Sequence, residues 1–178
     1  MSDPKPRNIT SLKDEIIKPI DSKDLNTAAQ LACLEAGSWA DAASALSVYK
    51  NRFEIQECVC LLFAIELYFK AVIMYEGAQQ KGHNLFELFD HLKDEDKLIV
   101  KEGIVPDGRV CVEYGEEYIE LNSFEEELKY ISNDFVDLRY EFEKYTNGYP
   151  VVALKDFLKK LMNNAKRLAY KEIYNNDI

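Results

Sequence analysis

Residues Ile55–Glu76 read IQECVCLLFAIELYFKAVIMYE. From Cys58 to Met74 only Glu66 and Lys70 carry charge, and apolar side chains fall on every face of the helix this stretch predicts. A helix that is apolar all round belongs in the buried middle of a bundle. A membrane span needs about 18 consecutive apolar residues. The first uninterrupted run here is only Cys58–Ile65, which argues against a span. Gly77 is placed to end the helix, because helices stop most easily on a residue that tolerates the left-handed conformation. Glu66 and Lys70 stand at i and i+4, acid first, the favourable order for a pair. Burying such a pair costs desolvation that its attraction need not recover. It is therefore the first place to look for a site, against the alternative of a structural salt bridge at the rim of the bundle.

Outward from this helix, the 178 residues suggest one domain with room for a sizeable core. The formal net charge is −10, from 32 acids against 22 bases. Such a chain does not advertise sequence-independent nucleic-acid binding, which rests on neutralising phosphates, although a local basic groove stays open. The four cysteines (Cys33, Cys58, Cys60, Cys111) form no C-x-x-C, and the two histidines (His83, His91) offer no zinc spacing. No metal or cofactor is expected, and the thiols read as reduced and mostly buried in a cytoplasmic protein. The opening MSDPKPRNIT has no apolar core of a secretory signal.

Residues 1–20, with Pro4, Pro6 and Pro19, read as a polar N-terminal tail, and 21–178 as a single helical domain. From about Ser22 a helical spacing runs through Leu25, Ala29, Ala32, Ala36, Trp39, Ala43 and Leu46. It keeps phase through Gly37, which favours one long helix, bent at Gly37, over two. Its alanines would let it pack closely on the central helix. Ala78–Gly82 is a loop, and Asn84 with Glu87 has capping-box spacing for a short helix to about Leu92. A second short helix is expected from about Glu95 to Lys101. Pro106-Asp107-Gly108 marks a turn, and the alternation in Arg109–Leu121 predicts a small β-hairpin. Ser123 and Glu126 form another capping box, before a stripe of Phe124, Leu128, Ile131, Phe135, Leu138, Phe142 and Tyr145. Asn147–Gly148 ends that helix and Pro150 starts the last one, which carries Leu154, Leu158, Leu161, Ala165 and Leu168. The fold expected is all-α: an up-and-down four-helix bundle with short extra helices and a hairpin insertion at about 78–122.

Glu66-Leu67-Tyr68-Phe69-Lys70, then Gly82-His83-Asn84-Leu85, then Asp137-Leu138-Arg139-Tyr140 follow one another in an order that resembles the HEPN superfamily (higher eukaryotes and prokaryotes nucleotide-binding domains). Bacterial members show E-L-x-x-K, then G-H-D-L, then a late helix with Arg-Tyr; Asn84 stands where many have Asp. The resemblance spans roughly residues 22–170 in architecture. It implies a helical bundle, commonly a homodimer with its cleft at the seam, that binds nucleotide or RNA, pairs with a nucleotidyltransferase, or acts in phage defence or a toxin–antitoxin system. Many members are metal-independent endoribonucleases that use an Arg followed a few residues later by His. Here the positions after Arg139 run Tyr140 to Thr146 without a His. RNA cleavage by acid–base catalysis would then fall to His83, the nearest group that titrates near neutrality.

The candidate residues are thus Glu66, Lys70, His83, Arg139 and Tyr140. Lys70 and Arg139 would hold phosphate, Glu66 would orient them, and His83 would complete the pocket. Each has a plainer alternative. Arg139 flanks the apolar stripe and could pair inside the bundle with Glu66, Asp134 or Asp137. His83 could cap or pack, and Tyr140 could fill the seam rather than stack on a base. His91 is given no role. Between Val110 and Leu128 lie seven glutamates and no Lys or Arg, a pattern that usually marks a solvated face. The last helix has the opposite bias, with Lys155, Lys159, Lys160, Lys166, Arg167 and Lys171 as a solvated face, an RNA groove or a row that pairs with the acidic hairpin of a second subunit. Three readings stay open: a binding module, a ribonuclease using His83 and Arg139, and a purely structural or interaction domain.

Overall fold

The computed structural model describes residues 22–49, 52–106, 108–111, 118–138 and 154–175. The expected N-terminal tail lies outside them, as do the end of the third long helix, Asn147–Gly148 and Pro150. Among the described residues the protein is mostly helical, with one two-stranded sheet.

The first helix, α1, runs without a break over Ser22–Ser47. A Cβ placed on Gly37 would meet only Tyr68 Oη, at 3.9 Å. Gly37 therefore neither breaks the helix nor is demanded by a clash. Ala29, Cys33, Ala36, Ala40 and Ala43 form its buried stripe, and these small side chains let the backbone approach α2, Glu54–Tyr75. Leu61, Leu62, Ile65, Tyr68, Phe69 and Val72 of α2 are fully or almost fully buried. By length and composition α2 could cross a membrane, but 67% of its most apolar window is buried inside the fold, the position of a core helix. It ends as its sequence suggests. Gly77 (φ +86°) donates to Met74 O at 2.9 Å and Ala78 N donates to Ile73 O at 3.0 Å. That bond pair is a Schellman motif, and it satisfies carbonyls the helix end would otherwise orphan.

Two short helices follow, α3 at Leu85–Asp90 and α4 at Asp94–Lys101. Asn84 caps α3, its side chain accepting from Glu87 N at 3.0 Å. A second tie was not foreseen: the Phe86 N–H donates to Ser132 Oγ at 2.8 Å, while Ser132 donates to Leu128 O. Strands β1 (Gly108–Cys111) and β2 (Tyr118–Leu121) pair antiparallel, Gly108 opposite Leu121 and Cys111 opposite Tyr118. The expected hairpin is present; Val112 and Tyr114 lie outside the described residues. Helix α5 covers Phe124–Leu138. Ser123 caps it, its Oγ accepting from Glu126 N, while Glu126 Oε2 accepts from Asn122 N, one residue before the N–H that a capping box engages.

The last helix, α6, spans Lys155–Tyr174. Leu154 is its N-cap residue and is buried. Helix α2 is the hub, with α1 and α6 packed along it and α3 and α5 against it. Across the hub's end runs a chain of rings, Phe69–Phe89 at 6.4 Å, Phe89–Phe124 at 5.2 Å and Phe124–Phe157 at 5.5 Å. It joins α2, α3, α5 and α6 through tilted ring contacts.

Candidate functional site

Glu66 is 3% exposed, in the middle of α2. Its Oε1 accepts from Lys70 Nζ, one turn further along, at 2.8 Å. The same oxygen is 2.8 Å from His83 Nδ1. Lys70 belongs to the helix and follows its aliphatic stem out of the core to a side chain 19% exposed. His83 arrives by a different route. The Schellman turn reverses the chain after α2, and Gly82 (φ +110°) takes a conformation that side chains resist. That turn sets His83 directly before the Asn84 cap of α3, with half of its side chain exposed.

One carboxylate oxygen thus serves a cation and an imidazole, while Glu66 Oε2 is buried with no hydrogen-bond partner. Opposite charge within ion-pair distance is what makes such burial tolerable. A carboxylate can only accept, so the His83–Glu66 bond needs the proton on Nδ1; in the neutral ring this leaves Nε2 as an acceptor. A buried carboxylate that fixes an imidazole's tautomer is the orienting arrangement of an acid–base pair. With Lys70 alongside, the trio offers a positive charge and a proton-transferring nitrogen at the edge of the bundle. The structure therefore brings together three of the residues singled out from the sequence, Glu66, Lys70 and His83. Arg139 and Tyr140 lie outside the described residues, as do the side chains of Asp134 and Asp137. His91 sits apart, its Nδ1 2.7 Å from Glu87 O.

The basic row of α6 is largely committed inside the molecule. Lys155 contacts Glu54 at 3.2 Å and Glu57 at 3.5 Å, and Lys159 contacts Glu57 at 2.8 Å. Arg167 pairs with Glu102 and donates to Ile99 O at 3.2 Å. Asn164 donates to Val100 O at 2.9 Å and Glu102 O at 2.8 Å. Arg167 and Asn164 together close the carbonyl end of α4, where cationic donors are favourable. Lys171 pairs with Glu172 at 3.2 Å. The acidic run is not wholly solvated either: Glu125 pairs with Lys101 and Glu127 is buried.

Two acids were missed by reading the sequence. Glu57 is 3% exposed, and its partners lie on α6 about a hundred positions away, so only the fold reveals it. Asp96 is 1% exposed, and neither carboxylate oxygen has a hydrogen-bond partner. Burial pushes its pKa up to about 6; Glu172 and Glu76 push the same way, and Lys171 and Lys93 oppose them. Burial also pushes the thiols of Cys33 and Cys58 up, to about 11 and about 12. No cluster of three or more His, Cys, Asp or Glu among the described residues is arranged to hold a metal ion. Compared with known proteins, the chain matches no family model, no curated protein and no solved structure.

Proposed function

We propose that the chain is a HEPN-like module, built as an up-and-down four-helix bundle, that binds RNA or a nucleotide through phosphate contacts of Lys70 and His83 held by Glu66. The observation that carries this reading is the single Glu66 oxygen shared by a partly exposed lysine and a half-exposed histidine. A purely structural ion pair has no need of a second, solvent-facing partner. Arg139 and Tyr140 extend the same site in this reading, and a homodimer seam would complete it. A cytoplasmic setting in prokaryotic defence, or pairing with a nucleotidyltransferase, follows from the resemblance in sequence alone.

The test is titration of the full chain with nucleotides and a short single-stranded RNA at several salt concentrations. The expected result is affinity that falls with salt and weakens about tenfold in Lys70→Ala or Arg139→Ala, one good contact being worth about 1.4 kcal/mol. Binding by both variants equal to the parent would reject the site.

A second reading has its own observation in the Glu66–His83 hydrogen bond. It makes His83 the general base of a metal-independent endoribonuclease, with Arg139 on the phosphate. It predicts RNA cleavage that survives EDTA and is lost in His83→Gln. The trio as a purely structural network is the outcome left if neither binding nor cleavage is seen.

A further inference from the structure

Away from Glu66, at the other end of α2, a half-open cleft of about 170 Å³ lies between α1, α2 and α6. Its walls are Ala43, Leu61 and Met162, and Ser44, Ser47 and Asn163 add neutral polar groups. Glu57 and Lys159 line it as its charged groups. Lys159 Nζ forms an ion pair with Glu57 Oε1 at 2.8 Å. Lys155 holds the other oxygen, Oε2, at 3.5 Å, and itself bonds Glu54. The cleft therefore presents a 97%-buried carboxylate whose partner on Oε1 is a lysine with a side chain 40% exposed.

Charge decides what fits. Glu54, Glu57, Lys155 and Lys159 sum to zero. An added anion would meet the fixed Glu57 carboxylate, and an added cation would meet two ammonium groups; either leaves a charge uncompensated in a partly desolvated site. A zwitterion leaves none. Its ammonium replaces Lys159 on Glu57 Oε1 while its carboxylate takes the Lys159 ammonium, so every charge keeps a partner. Leu61, Met162 and Ala43 are left to cover an aliphatic side chain. The volume falls below the about 300 Å³ at which pockets for larger ligands begin, which suits a single small metabolite and not a nucleotide. We propose that the cleft between α1, α2 and α6 binds a free aliphatic α-amino acid, ammonium on Glu57 and carboxylate on Lys159.

Calorimetric titration of the full chain with L-leucine and L-methionine tests this, with isoamylamine and isocaproic acid as probes lacking one charge each. The expected result is a dissociation constant below about 1 mM for at least one amino acid, with at least tenfold weaker binding of both single-charge probes. Lys159→Met should weaken amino-acid binding at least tenfold. Ser44→Phe, an exposed position on α1 that lines the cleft, should abolish it while leaving the thermal melt unchanged. Absence of amino-acid binding would overturn the proposal. So would equal binding of isoamylamine or isocaproic acid, or binding retained in Ser44→Phe.

Discussion

Glu66 Oε1 and His83 Nδ1, 17 positions apart in the chain, lie 2.8 Å from one another, and that contact assigns the imidazole its tautomer. Neutral His83 should carry its proton on Nδ1, the reverse of the form that free imidazole side chains favour. Ring ¹⁵N shifts in the intact protein check this. In Glu66→Ala the preference should disappear, and an unchanged Nδ1–H signature there would show that Glu66 does not set it.

Lys70→Met leaves Glu66 buried with one partner fewer. The cost of stranding a buried acceptor is about 1–3 kcal/mol, so the variant should lose that much in urea unfolding. The double variant Lys70→Met/Glu66→Leu, which removes both charges, should recover most of it. A double variant no more stable than the single one would contradict the assignment.

Asp96 makes stability depend on pH in a definite direction. Its pKa is about 6 in the fold against an ordinary 3.8, because burial disfavours the charge and Glu172 and Glu76 repel it. Below about pH 4 the carboxyl is protonated folded or unfolded and burial exacts little. As pH rises from about 4 to about 6 the unfolded chain gives up this proton while the buried group keeps it, so stability falls across that window and stays lower above. Asp96→Asn should stabilise the protein by about 1–2 kcal/mol at pH 8 and by nothing at pH 4. Denaturant unfolding at the two pH values measures the difference.

Gly37→Ala should stabilise α1. The added methyl meets only Tyr68 Oη at ordinary van der Waals distance, so the helix-propensity gain of about 0.5–1 kcal/mol is not cancelled by a clash. A lowered melting temperature would show that the helix needs the glycine for a bend.

Asn164→Ala should loosen α4 locally. It removes two bonds to the carbonyls of Val100 and Glu102, at a cost of about 1–2 kcal/mol. Amide exchange in α4 should quicken by tenfold or more, with α1 little changed. Uniform quickening across the molecule would mean that α4 does not open by itself.

The elements that could be read from sequence are those governed by neighbours along the chain. The all-round apolarity of Ile55–Glu76, the unbroken phase through Gly37, the stop at Gly77 and the Asn84 and Ser123 caps are all short-range signals, and the structure shows each of them. The Glu66–Lys70 pair is of the same kind, one turn apart on one helix. His83 was singled out by type, but its contact with Glu66 depends on the Gly82 turn, which fixes a direction that composition does not carry. Glu57 and Asp96 were missed because their burial is created by α6, from a distant part of the chain. The basic residues of α6 looked like a surface row for the same reason: the acids met by Lys155 and Lys159 lie on α2, and the one met by Arg167 lies at the end of α4.

The bond from Lys155 Nζ to Glu54 Oε1 spans 101 positions, and it has a consequence for the order of assembly. During synthesis α1 and α2 emerge first and can pair at once, but the side of α2 that α6 covers has no partner until residues 155–174 have been made. The hub of the fold is thus completed by the last helix in the described chain. Closing so long a loop is slow relative to helix formation, and an apolar flank waits meanwhile for its cover. The nascent two-helix hairpin is therefore the species most exposed to wrong association, and the acids Glu54 and Glu57, at the start of that waiting flank, stay without their α6 partners Lys155 and Lys159 until then.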